Sequence, residues 1–140
     1  MHECAINQIN KATPTPKPTK PLKIFISGPY TDANDAIQGR NTQRIIDIGI
    51  ELYQRGHFPY IPHLTHWVDK RARELGVGLK WEDYMNWHMP WLELCDALYF
   101  VAPSRGANLE LATAVNMGKV IFRRMDEVPV LPVQYRLLGV

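Results

Sequence analysis

Cysteine is scarce in this sequence: two in 140 residues, Cys4 near the start and Cys95 in an apolar context. A pair so placed builds no disulfide framework, so a reducing compartment is expected. Long hydrophobic runs are also missing. No stretch reaches the roughly 20 apolar residues of a membrane-spanning helix, and the first residues show no signal-peptide pattern. A cytoplasmic location follows as an expectation. Charge of either sign is nearly balanced, with 16 Lys and Arg against 14 Asp and Glu, a net +2. That leaves no electrostatic footprint for nucleic acid or a membrane surface. Neither GxGxxG nor GxxxxGK[ST] occurs, so the dinucleotide fingerprint and the Walker loop are both absent. No internal repeat is visible.

Proline is present in quantity but unevenly spread. "KATPTPKPTKP" alternates it with threonine and lysine, a composition that favours an extended polyproline-like chain and builds no core. Residues 1–21 are therefore expected to form a disordered leader, and residues 22–140 a single domain. The apolar content of 46% is ordinary for a globular chain, and a domain of this size buries enough surface to fold without disulfides or metal.

Within the domain, short apolar runs alternate with helical periodicity. "LKIFISG" reads as a buried strand ending in a glycine turn, and "PYTDANDAIQGRN" as the loop after it. "TQRIIDIGIELYQRGH" predicts a helix closed near Gly56, and "FPYIPH" a short strand between prolines. "LTHWVDKRAREL" reads as a polar, partly helical connection. "LKWEDYMNWHMPWLELC" predicts a helix with Trp81, Tyr84, Met85, His88 and Leu92 on one face, kinked or restarted at Pro90. "DALYFVAP" is the next strand, Ala107 to Gly118 a third helix, "KVIFRR" a fourth strand, and "PVQYRLL" a weak fifth. Alternating strands and helices imply a parallel sheet with right-handed crossovers. Ligands then bind outside the carboxyl ends of the strands, where strand order reverses. That rule selects the loops at Gly28 to Asn34, His63 to Asp69 and Pro103 to Gly106.

These loops hold the residues with chemistry. "PSRGA" feeds a strand into a helix, so unpaired N–H groups, Ser104 and Arg105 can form an anion site; the same turn can equally be an ordinary one capped by Ser104. Glu110, read as lying in the first turn of that helix, either complements the helix dipole or is held ionised by it to react with a sugar carbon. Gly28 lets backbone approach a ligand, and Tyr30 offers a ring for a nucleobase, a contact worth about 1–3 kcal/mol. Asp32, Asn34 and Asp35 can contact a ligand or cap the next helix, with capping favoured for the last two. His57, His63, His66 and His88 form a loose cluster with Asp69 and Asp83 nearby. "HLTH" lacks the partners of a familiar zinc set, so a donor or general-acid role is expected for one of these histidines, and no metal. "KRAR" reads as a solvated helical face.

"KIFISGPYT", "GHFPYIPHLTH" and "LELCDALYFVAPSRGANLELATAVNMGK", in that order, resemble the nucleoside 2-deoxyribosyltransferase superfamily, in particular small domains carrying SGPYT and SRGA…E. The resemblance spans roughly residues 22 to 124 and extends to 2′-deoxynucleoside 5′-monophosphate N-glycosidases. It implies a flavodoxin-like α/β fold, with a parallel sheet of about five strands and helices on both faces. It also implies a homo-oligomer and no cofactor. Glu110 matches the family's nucleophile, Ser104 and Gly106 its 5′-phosphate turn, and Tyr30 the aromatic that helps enclose the base. His88 stands where family members commonly carry an aspartate, and Asp83 is the alternative acid. The expected function is cleavage of the base–sugar bond of a nucleoside 5′-monophosphate or nucleoside, by hydrolysis or transfer. Its catalytic residues are Glu110, His88 and Asp83, and Gly28, Tyr30, Asp32, His63, His66, Ser104, Arg105 and Gly106 bind substrate. The rival expectation is a non-catalytic nucleotide-binding module of the same fold.

Overall fold

The computed structural model describes residues 20–30 and 34–132. The expected leader, save its last two residues, lies outside them, as do Asp32 and all of "PVQYRLL" but Pro132. Four strands are present among the described residues, all parallel and in the order β2-β1-β3-β4. They are β1 (Lys23–Ser27), β2 (Phe58–Tyr60), β3 (Ala97–Phe100) and β4 (Val120–Phe122). Four α-helices accompany them: α1 (Asp35–Gln54), α2 (Thr65–Glu74), α3 (Trp81–Leu94) and α4 (Arg105–Asn116). The fold is flavodoxin-like, with four strands among the described residues; the fifth expected strand, in "PVQYRLL", falls outside them but for Pro132.

The central strands are apolar on both sides because both sides are covered. Ile24 and Ile26 point to one face and pack with Ile45 and Leu52 of α1. Phe25 and Leu98 point to the other, against Leu92 of α3 and Ala114 of α4. β1 is flanked by β2 on one side and β3 on the other, so strand order reverses beside it. The crevice of such a sheet opens there, above the ends of β1 and β3.

Three local expectations change. Helix α1 starts at Asp35, seven residues before the predicted Thr42, because Asn34 caps it: its Oδ1 accepts from the N–H groups of Ala36 at 2.9 Å and Ile37 at 3.4 Å. The capping signal was the better guide, since "AIQGRN" carries little apolar period. Helix α3 runs unbroken through Pro90. Pro90 and Asn86 are both exposed, so the carbonyl that proline leaves unbonded can turn to water. His57 leaves the group of chemical candidates. It is fully buried, its Nδ1 accepting from the Leu22 N–H at 3.1 Å and its Nε2 donating to the Pro129 carbonyl at 2.7 Å.

Packing alone is enough to require glycine at position 28. A Cβ there would lie 2.9 Å from Ile45 Cδ1 and 3.1 Å from Val101 Cβ, and the latter has no freedom to yield. Gly28→Ala is therefore expected to destabilise the fold by about 1–3 kcal/mol. Urea unfolding measures this, and an unchanged midpoint would refute the packing account.

Candidate functional site

A cavity of about 510 Å³ opens above the carboxyl ends of β1, β2 and β3. Its size is ordinary for a small-molecule site. The β1 loop brings Gly28 and Tyr30 to it, and the turn after β2 brings Pro62 and His63. Ser104 to Ala107 come from the start of α4, while α2 and α3 supply Asp69, Arg73, Trp81, Tyr84 and Met85.

The floor is built around Glu110. Helix α4 starts at Arg105, so Glu110 is its sixth residue, in the second turn and not the first. The helix field has largely faded there, and burial dominates instead. Only 6% of Glu110 is exposed. Ser27, the fully buried last residue of β1, donates its hydroxyl to Glu110 Oε1 at 2.7 Å. Burial pushes the Glu110 carboxyl up to about 7, and the Ser27 bond works against that rise. The expectation that the helix dipole holds this carboxylate ionised is thus corrected: near neutral pH it stands close to half-protonated. Its second oxygen has no protein partner and is not sealed off, since His63 Nδ1 is the one buried, unpartnered side-chain atom among the described residues. As Glu110 lines the cavity, Oε2 is the oxygen presented to a ligand.

His88 shares this floor, buried against Phe25 and Tyr60. Burial and then nearby His63 push its imidazole down to about 4. Burial first, then Cys95 and Glu110, push the Tyr60 hydroxyl up to about 12; that hydroxyl keeps its proton and shares a hydrogen bond with His88 Nδ1 at 3.2 Å. His88 is neutral at pH 7, one ring nitrogen carrying its proton and the other free to accept. It can donate a hydrogen bond but holds no surplus proton to release.

The second region is the turn into α4. Ser104 caps the helix, its Oγ accepting from the Ala107 N–H at 3.1 Å. As the first helical residues, Arg105 and Gly106 have N–H groups with no intrahelical acceptor. The Arg105 guanidinium lies 4.0 Å over the Trp81 ring. The anion-site and capping readings of Ser104 are therefore compatible, since an oxygen accepting from Ala107 can still donate its own proton.

The third region is the outer wall, of which the sequence reading marked Asp69 but not its joining with Arg73 and Tyr84. Tyr84 donates to Asp69 Oδ1 at 2.8 Å, and Arg73 pairs with Asp69 Oδ2 at 2.9 Å. Tyr30 stands beside them, its hydroxyl 3.0 Å from His66 Nδ1. Burial and the charge of Asp69 hold that hydroxyl above its ordinary value.

Most of the sequence candidates meet in this one cavity: Gly28, Tyr30, His63, His88, Ser104, Arg105, Gly106 and Glu110 all line it. His66 stands behind Tyr30 as its partner. His63 is a scaffold: its Nε2 faces the carbonyls of Gly28 at 3.1 Å and Pro29 at 3.0 Å, so that nitrogen carries the proton and pins the loop. Burial lowers its basicity, and the bonds to the two carbonyls work against that fall. Asp83 does not join the site. It is exposed and accepts from the Lys80 N–H at 2.8 Å, closing the first turn of α3. Of the tryptophans in α3, Trp81 lines the cavity while Trp87 and Trp91 are half-exposed. No group of three or more His, Cys, Asp or Glu is placed to hold a metal ion among the described residues. No helix there is long and apolar enough to cross a membrane.

Residues 22–123 match the family model described as Domain of unknown function (DUF4406). No curated protein matches the sequence.

Proposed function

The chain belongs to the DUF4406 family, and we propose that it is an N-glycosidase acting on a nucleoside 5′-monophosphate, with Glu110 as nucleophile. One observation carries the reading: a buried carboxylate on the cavity floor, with one oxygen held by Ser27 and the other left toward the ligand space. The turn with Ser104, Arg105 and Gly106 would hold the phosphate, and Tyr30 would face the base. Ionised Glu110 Oε2 forms a bond to the anomeric carbon as the carbon–nitrogen bond breaks. The electron pair leaves with the base nitrogen, which takes a proton from water. Water oxygen then replaces Glu110 on the sugar, and the carboxylate is regenerated, with one water consumed overall. A second base in place of water would give exchange.

His88 supports the departing base as a neutral hydrogen-bond donor, not as the general acid first expected. That same neutrality favours the second reading, a nucleotide-binding module without turnover, because no strong acid stands ready for the leaving group.

Arg105 provides a test of the phosphate assignment. Arg105→Ala should raise KM for a nucleoside 5′-monophosphate by about tenfold or more, the weight of a charge-assisted hydrogen bond. KM for the matching nucleoside should not move. Equal effects on the two compounds would remove the phosphate from this turn.

A further inference from the structure

Two carboxylates and two arginines line the cavity, and they are used differently. Glu110 lies on the floor without an ion-pair partner. Asp69 is held on the wall from two sides, with Tyr84 at Oδ1 and Arg73 at Oδ2, and its side chain is only 16% exposed. Arg73 is thereby neutralised, whereas Arg105 pairs with no carboxylate among the described residues and rests on Trp81. A phosphate is drawn to the unneutralised cation, at the free N–H groups of the α4 turn. The outer wall is left with no net charge to offer a phosphate. It offers aromatic rings, Tyr30 and Tyr84, and a carboxylate fixed in place.

A carboxylate is an acceptor only, and each oxygen has more than one lone-pair direction. Tyr84 and Arg73 take one direction on each Asp69 oxygen and leave the remainder for a donor. A flat heterocycle in this space meets an acceptor at its edge. An exocyclic amine satisfies that acceptor; a carbonyl oxygen at the same ring position opposes it with another lone pair, and a buried polar edge left unpaired is costly. We propose that Asp69 selects the base, and that the site takes nucleotides whose base carries an exocyclic amine, adenine or cytosine, over the keto counterparts hypoxanthine and uracil. The inference rests on the nucleotide reading above. Arg73 and Tyr84 act through Asp69: they hold the carboxylate in register with the base edge.

The test uses full-length protein carrying Glu110→Gln, so that ligand is bound without being consumed. Calorimetric titration compares adenosine with inosine 5′-monophosphate, and cytidine with uridine 5′-monophosphate, each as ribo- and deoxyribonucleotide. The amino member of at least one pair should bind about 10- to 100-fold tighter, the range for a hydrogen bond to a charged group. Adding Asp69→Asn, which keeps the shape and can donate to a carbonyl, should erase or invert the preference. Should that variant fail to fold, the amino–keto comparison alone still decides. Equal binding within both pairs, or a preference that survives Asp69→Asn, overturns the proposal. An amine preference with no base release by the unmodified chain upholds Asp69 and overturns the glycosidase reading. Base release with no amine preference does the reverse, and absence of all nucleotide binding overturns both.

Discussion

Glu110→Gln is expected to abolish base release, with a fall in kcat on the order of a thousandfold or more and nucleotide binding retained. The size follows from what the substitution changes. Glutamine has the same shape, and its amide oxygen still accepts from Ser27, whose hydroxyl stands 2.7 Å from Glu110 Oε1. What disappears is the charged second oxygen that faces the ligand. If Glu110 served only as a partner for the helix dipole, the change would cost a few tenths of a kcal/mol to about 1 kcal/mol of stability and leave turnover alone. Parallel kinetics and titration of the two proteins separate these accounts.

The second large effect is on pH dependence, and it appears in activity and in stability with opposite signs. The proposed glycosidase reaction needs the ionised carboxylate, so kcat/KM should rise with pH through about 7, where burial places the Glu110 carboxyl. Ser27→Ala removes a donor that favours the charged form, so the rising limb moves to higher pH. The loss is about tenfold in rate at pH 6, and less at pH 9. A purely structural role for Ser27 would lower rates uniformly and leave the limb in place.

For stability, the unfolded chain ionises this carboxyl near the ordinary 4.5, while the folded chain holds its proton to about 7. Below 4.5 the group is protonated in both states and carries no penalty. Between 4.5 and 7 the unfolded chain binds fewer protons, so stability falls as pH rises. Above 7 the penalty is fully developed, on the order of 3 kcal/mol. Glu110→Gln has no charge to bury and should be more stable than the parent at pH 8, but not at pH 4. His88 works in the other direction, since burial pushes it down to about 4 and its contribution is lost as pH falls. It is present in both proteins and drops out of the comparison. Urea unfolding at pH 4, 6 and 8 reads the difference, and a gap that does not widen with pH would contradict the burial argument.

The sheet and the candidate site were legible in the sequence to different depths. β1 and β3 were readable because "KIFIS" and "ALYF" are short apolar runs of a kind that only a strand covered on both faces requires. The topology rule pointed to the loops at their carboxyl ends, whereas the order β2-β1-β3-β4 is set by pairings far apart in sequence. Glu110 and the Ser104 turn were legible because a carboxylate and a glycine-containing turn stand out beside a strand end. Ser27 was passed over as part of the strand, although a hydroxyl at a fully buried position is a signal in itself. Of the wall, Asp69 was marked as the end of a selected loop, but its joining with Arg73 and Tyr84 was not. "KRAR" on a charged stretch looks solvated, and only the fold brings Asp69 of α2 to Tyr84 of α3, 15 residues apart in sequence. Asp83 misled for the converse reason: its spacing suits both a site and a helix cap, and Lys80 claims it. The lowered basicity of His88 was also beyond reach, because it comes from burial and then from His63, which only the fold sets near it.

The most direct test is to incubate the unmodified protein with a panel of ribo- and deoxyribonucleoside 5′-monophosphates and quantify free base and sugar 5-phosphate by chromatography. The account predicts that at least one compound yields the two products in equal amounts. Release of neither from any compound, with or without an added acceptor base, would contradict it.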